Sequence, residues 1–327
     1  MNSTPSSWQQ ELRLAFTSPA DLLNYLNLSN DLSDSQAESI FSLRVPLAYA
    51  KNMEKANRHD PLLLQVLPLA EELNNPVDYL DDPVGDLPAL KDNGLIHKYQ
   101  DRVLFITTGA CAINCRFCFR RNFPYGDSQL NSKNEVLAFQ YIADNPQINE
   151  VIFSGGDPLL LSDQRIQYLL QKLANISHIK RVRFHTRLPI VLPSRITREL
   201  INILQNTPLA IIIVTHCNHA NELSIDVNNA CLKLKQSNIT LLNQSVLLKN
   251  INDNITALSQ LSEQLFSCGI LPYYLHSLDK AKGTAHFNVD QKKAIQLHQL
   301  LQKRLSGYLV PKLVKEEPGK ASKTLLF

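Results

Sequence analysis

RVLFITTGACAINCRFCFRR, residues 102–121, decides how this chain is read. Its first seven residues, rich in β-branched and aromatic side chains, predict a buried strand. A loop carrying three cysteines follows at once. Working outward, similar strand-like runs recur: EVIFSG (150–155), RVRFHT (181–186), LAIIIVTH (209–216), TLLNQSVLL (240–248) and LPYYLHS (271–277). Segments of helical periodicity separate them: EVLAFQYIAD (135–144), RIQYLLQKLANI (165–176), ITRELINILQN (196–206), Leu223 to Lys235, ITALSQLSEQLF (255–266) and QKKAIQLHQLLQKRL (291–305). A strand followed by a helix, roughly every thirty residues, is the signature of right-handed βαβ units on a parallel sheet. No dinucleotide-type glycine fingerprint follows the first strand, which weakens an open nucleotide-binding sheet. The expected fold is therefore α/β, a partial (β/α)6 TIM-like barrel with chemistry at the C-terminal strand ends.

The flanks divide the rest. Residues 1–73 predict a helical N-terminal domain, with Ser18 or Asp21 capping ADLLNYLNL and helical spacing in SQAESIFSLRVPLAYAKNMEKA. Residues 74–100, rich in Pro, Asp and Asn, predict an extended connector lying over the next domain. The barrel core is expected over 101–311 and a C-terminal tail over 312–327.

The chain has 327 residues, 44% hydrophobic and 19% charged, enough for a sizeable core. A net charge of +3 with no dense basic run argues against nucleic acid as a partner. No run of eighteen apolar residues and no leader-like opening are present, so the expectation is a cytoplasmic protein without a membrane span. Thiols stay reduced there. Of six cysteines, Cys217, Cys231 and Cys268 stand alone and predict buried small hydrophobes.

Cys111, Cys115 and Cys118 are spaced Cys-x3-Cys-x2-Cys at a strand end. Three thiolates that close can hold three corners of a 4Fe-4S cluster and leave the fourth iron open to a small molecule. A zinc site would want a fourth ligand, such as His97 or a remote cysteine. Ser154-Gly155-Gly156-Asp157-Pro158 ends the second strand. Adjacent glycines let a backbone edge approach a ligand and hold its amino group, although the same residues also make an ordinary strand-to-helix turn.

With these features together, the cysteine loop resembles that of radical S-adenosylmethionine enzymes. The stretches DDPVGDLPALKDNGLIHKYQDRVLF, TGACAINCRFCFRRNFPY, VIFSGGDPLLLSD, RFHTRLPIVLPSRIT, VTHCNHANEL, LLNQSVLLKNIND and LPYYLHSLDKAKGTAHF resemble lysine 2,3-aminomutases, especially the short bacterial enzymes that make (R)-β-lysine for elongation factor P. The resemblance implies a 4Fe-4S cluster, S-adenosylmethionine and pyridoxal 5′-phosphate. Among Lys312, Lys315, Lys320 and Lys323 it favours Lys323, in Ser-Lys-Thr, as the lysine that carries the pyridoxal group. It places Lys98, Tyr99, Arg102 and Gln244 at that group, and Ser154, Gly155, Gly156, Asp157, Arg187 and His216 at the adenosylmethionine. Arg120 falls where the substrate carboxylate is held and Asp279 where the distal ammonium is held.

The larger aminomutases add a second ammonium-binding aspartate shortly before the lysine, where this chain reads Tyr-Leu-Val-Pro-Lys; no acid follows until Glu316 and Glu317. They also bind zinc, partly through a cysteine where Asn254 stands here, so no zinc is expected. The implied activity converts (S)-α-lysine to (R)-β-lysine. The implied partners are lysine, an electron donor such as flavodoxin or ferredoxin, and elongation factor P with its lysyl-ligase. Two other readings stay open: a radical enzyme without pyridoxal phosphate, and a non-catalytic iron–sulfur or zinc adaptor.

Overall fold

The computed structural model describes residues 7–91, 94–130 and 134–327; residues 1–6 of the expected N-terminal domain and 92–93 of the connector lie outside the described residues. Ten strands form one sheet in sequence order: β1 (Leu90–Lys91), β2 (Leu95–Tyr99), β3 (Arg102–Thr108), β4 (Glu150–Gly155), β5 (Arg181–Thr186), β6 (Ala210–His216), β7 (Thr240–Val246), β8 (Leu271–His276), β9 (Lys312–Lys315) and β10 (Thr324–Leu325). β3 to β9 run parallel, each paired with the next. The expected six units are all present, in an open, partial barrel.

Alternation along the strands explains both faces. In β5, Val182, Phe184 and Thr186 are buried while Arg183 and His185 line the barrel interior. Phe105, Phe153 and Phe184 share one register row across β3, β4 and β5. Their rings pack at 6.0 and 5.0 Å centroid separation. Each fully buried ring contributes about 2 kcal/mol of transfer free energy. The helices that complete the units, from Glu135–Ala143 to Gln291–Arg304, follow the expected segments closely. Asn254 caps one of them, its side chain accepting from Ala257 N at 2.9 Å.

One expectation is corrected at the N-terminal edge. The long helix anticipated in the N-terminal stretch is broken into Ser35–Ile40 and Leu47–Ala50, because Val45 bridges to Phe16 and Pro46 restarts the chain. Leu22, Tyr49, Leu63 and Val66 from this region join a continuous apolar core with barrel residues. At the C-terminal end, β9 extends the parallel sheet and β10 folds back on it antiparallel. At the opposite edge β1 and β2 form an antiparallel pair on β3. The two ends of the open sheet meet through side chains, where Tyr99 Oη donates to Glu316 Oε1 at 2.6 Å. Among the described residues no helix is long and apolar enough to cross a membrane.

Candidate active site

A cavity of about 420 Å³ opens at the C-terminal ends of the parallel strands, within the range of small-molecule sites. Cys111, Cys115 and Cys118 line it. Their loop is pinned from the N-terminal region: Asn114 N donates to Arg44 O at 3.0 Å and Arg116 N to Gln65 O at 2.9 Å. The fully buried Arg116 makes a two-pronged pair with Glu72, at 2.7 Å through Nε and 2.6 Å through Nη2. Burial pushes all three thiols up, Cys118 to about 11, so binding a metal there must release their protons. Three thiols distributed along one loop suit the separate irons of a cluster better than one zinc.

The glycine pair serves this loop directly. Gly156 N donates to Thr108 O at 2.7 Å and Asp157 N to Ala110 O at 2.8 Å. A Cβ on Gly156 would lie 2.1 Å from Ala110 O, and one on Gly155, where φ is +109°, 2.6 Å from Thr108 O. The amides expected to face a ligand are thus partly taken by the cysteine loop, which needs this close approach. Asp157 is similarly committed, accepting from Thr186 Oγ1 at 2.6 Å and Arg187 N at 2.7 Å. Gly156→Ala is expected to cost about 3 kcal/mol by backbone overpacking and to lose iron. Thermal midpoint and iron per chain check both.

Arg187 reaches from the end of β5 to Cys115 Sγ at 2.7 Å and to Glu222 and Gln65 at 2.8 and 2.7 Å. Its Nε has no partner among the described residues, and neither has Nε2 of His185, His216 or His276. All four residues line the cavity. Burial drives the three imidazoles down, His216 to about 3, so they stand neutral. Buried polar atoms are nearly always satisfied, and four orphans around one cavity fit a polar ligand there. The chemistry of the site thus suits adenosylmethionine beside a cluster. His185, His276, Gln65 and Glu222 escaped sequence reasoning.

The cavity also gathers charge. Asp86, buried, binds Lys98 at 2.5 Å and Arg120 Nε at 2.7 Å. Arg120 Nη1 donates to Ser154 Oγ at 3.1 Å. Arg102 stacks on the Tyr99 ring at 4.0 Å, and Gln244 and Arg183 line the cavity with them. Asp279, Glu316 and Lys323 also line the cavity, the last two ion-paired. The chain turns after β9 and brings Glu316, the next acid along the sequence, to the cavity. Asp86 also went unforeseen, since its connector was read only as a cover. Of the four C-terminal lysines, Lys323 alone lines the cavity.

Residues 105–223 match the model of the Radical SAM superfamily. The chain is 51% identical to the L-lysine 2,3-aminomutase of Buchnera aphidicola over 97% of this chain and 94% of that protein. It is 45% identical to the Escherichia coli enzyme of the same name, over 99% and 96%. The chain belongs to the lysine 2,3-aminomutase family. The longer Clostridium subterminale L-lysine 2,3-aminomutase is 34% identical, over 98% of this chain and 77% of its own length. As a radical SAM lysine 2,3-aminomutase the protein is an isomerase, and a 4Fe-4S cluster and adenosylmethionine are its reagents.

Proposed function

We propose that this aminomutase depends on pyridoxal 5′-phosphate, converts (S)-α-lysine to (R)-β-lysine, and supplies it for modification of elongation factor P in the cytoplasm. The observation that carries the proposal is one cavity lined by three cysteines, by Lys323 on a turn, and by both cationic and acidic side chains. Lys323 is the lysine we assign to the pyridoxal group, with Lys98, Tyr99, Arg102 and Gln244 around it. Arginine and lysine suit a phosphate dianion. When bound, the cluster with adenosylmethionine supplies a carbon radical able to take a non-acidic hydrogen from the substrate β-carbon, and pyridoxal phosphate supplies a π-system across which nitrogen migrates.

The chain's own part is to hold and to shield. Arg120 is held by Asp86 and assigned to the substrate carboxylate, and Asp279 to the distal ammonium. Anchors at opposite ends measure chain length, which separates lysine from shorter or uncharged amino acids. Arg187, His216 and Ser154 to Asp157 frame the adenosylmethionine. Cluster reduction calls for a donor of the flavodoxin or ferredoxin class, and product use for the lysyl-ligase of elongation factor P. Anaerobic incubation with lysine, dithionite and adenosylmethionine should yield β-lysine by chromatography. Deleting the gene should leave elongation factor P without its β-lysyl group.

Asp279 adds a pH signature. Burial raises its carboxyl to about 7, against the opposing pull of Lys323. Below that pH it is protonated and cannot hold an ammonium. kcat/KM for lysine should therefore rise as pH passes upward through about 7. Asp279→Asn should abolish this limb and weaken lysine use by roughly 30-fold, since removing one partner of a desolvated pair costs about 2 kcal/mol or more. A variant with unchanged kcat/KM and an unchanged pH profile would remove Asp279 from the pocket's role.

A further inference from the structure

The guanidinium of Arg187 donates from Nη1 to Cys115 Sγ at 2.7 Å. Its other terminal nitrogen, Nη2, donates to Glu222 Oε2 at 2.8 Å and Gln65 Oε1 at 2.7 Å, with Tyr49 Oη at 3.2 Å. Tyr49, Gln65 and Glu222 are completely buried, and none of them lines the cavity. What they act on is Arg187.

Each of the holders is itself held. Glu222 Oε1 accepts from Asn218 N, His219 N and Gln65 Nε2 at 2.9, 3.0 and 3.1 Å. Asn218 Nδ2 donates to Gln65 Oε1 at 3.0 Å. Gln65 has a second part, because its backbone carbonyl accepts from Arg116 N, next to Cys115, at 2.9 Å. One residue thus fixes both the donor and the loop that bears the acceptor.

Loading one electron on the cluster, from a reductant such as dithionite, adds one negative charge and makes or breaks no bond. A donor aimed at a ligating sulfur stabilises that reduced state more than the oxidised one. A carboxylate nearby does the opposite, since like charges repel more strongly at low dielectric. Arg187 and Glu222 therefore pull the same couple in opposite directions.

We infer that Glu222, Gln65 and Tyr49 form a buried holder that aims Arg187 at the Cys115 sulfur and balances its charge, and that this arrangement sets the cluster's reduction potential. This rests on Cys115 as a cluster ligand. All three are positioning residues, since they reach the cluster only through Arg187.

The potential is read without adenosylmethionine, so that any contact of Arg187 with that ligand plays no part. The full-length, iron-loaded protein is titrated anaerobically with dithionite against redox dyes, and the reduced cluster is counted by electron paramagnetic resonance. Glu222→Gln removes a negative charge and keeps the shape. It should raise the reduced-to-oxidised ratio at a fixed potential by about tenfold, ~59 mV for one electron. Gln65→Met changes no charge and keeps the carbonyl that holds Arg116, but it takes away an acceptor of Nη2. It should lower the ratio by about threefold, as a looser donor would. Should Glu222→Gln fail to take up iron, the sign of the shift in Gln65→Met decides alone. Potentials equal to that of the unaltered protein, or a downward shift in both variants, at unchanged iron would overturn the inference and leave the three-ligand assignment standing. Full iron content in Cys115→Ala would overturn both.

Discussion

Replacing any one of Cys111, Cys115 or Cys118 with Ala is expected to leave a folded chain with no cluster and no detectable turnover. The three thiols occupy a loop that other residues already hold: Asn114 and Arg116 fasten it to the N-terminal region and Gly156 fastens it to β4. Removing a thiol breaks none of these hydrogen bonds, and burial already disfavours the thiolate when no metal compensates it. The fold should therefore survive. The cluster should not, because two thiolates cannot hold a cube from which a small molecule must also be bound. Iron content, visible absorbance and circular dichroism report the outcome. Cys217, Cys231 and Cys268 are buried among apolar neighbours and should tolerate Ala with iron retained. A scattered cysteine as necessary for iron as Cys115 would sink the three-ligand assignment.

Lys323→Ala should abolish the pyridoxyl label trapped by borohydride while leaving iron unchanged, and lower turnover about a thousandfold or more, the scale on which tethering a reactant counts. The two readouts are independent because Lys323 lies on the β9–β10 turn, whereas the cysteines follow β3. Lys312 and Lys320 are exposed, and Lys315 leans on Glu317 at 3.6 Å. Label recovered on any of them would relocate the site.

The sheet was legible where the chain is repetitive. Strands such as β3, β4 and β5 are apolar, bounded by turns and spaced by amphipathic helices, so pattern alone found them to within a residue or two. The cysteine loop was legible because its residues are neighbours in sequence. What escaped was created by convergence. Asp86 binds Lys98 and Arg120, Glu222 meets Gln65 and Arg187, and Glu316 meets Tyr99, all across long stretches of chain with no local periodicity. The short edge strands β1, β2, β9 and β10 were missed for a related reason: two to five residues carry too little pattern. The broken N-terminal helix shows tertiary pairing at Val45 overriding helical spacing.

The hydrogen bond from Tyr99 to Glu316 makes the barrel a clasped ring. Backbone ladders run from β1 to β10 and stop, so the seam is closed by side chains that a ligand can strengthen. On the proposed assignment of Lys98, Arg102 and Lys323 to pyridoxal phosphate, residues from both ends of the sheet would hold one ligand. Fraying of the two sheet ends then becomes a single opening equilibrium, biased by cofactor in proportion to its binding free energy. Amide exchange at residues 95–99 and 312–315 should slow together on loading, although more than two hundred positions separate them, while exchange in β5 stays as it was.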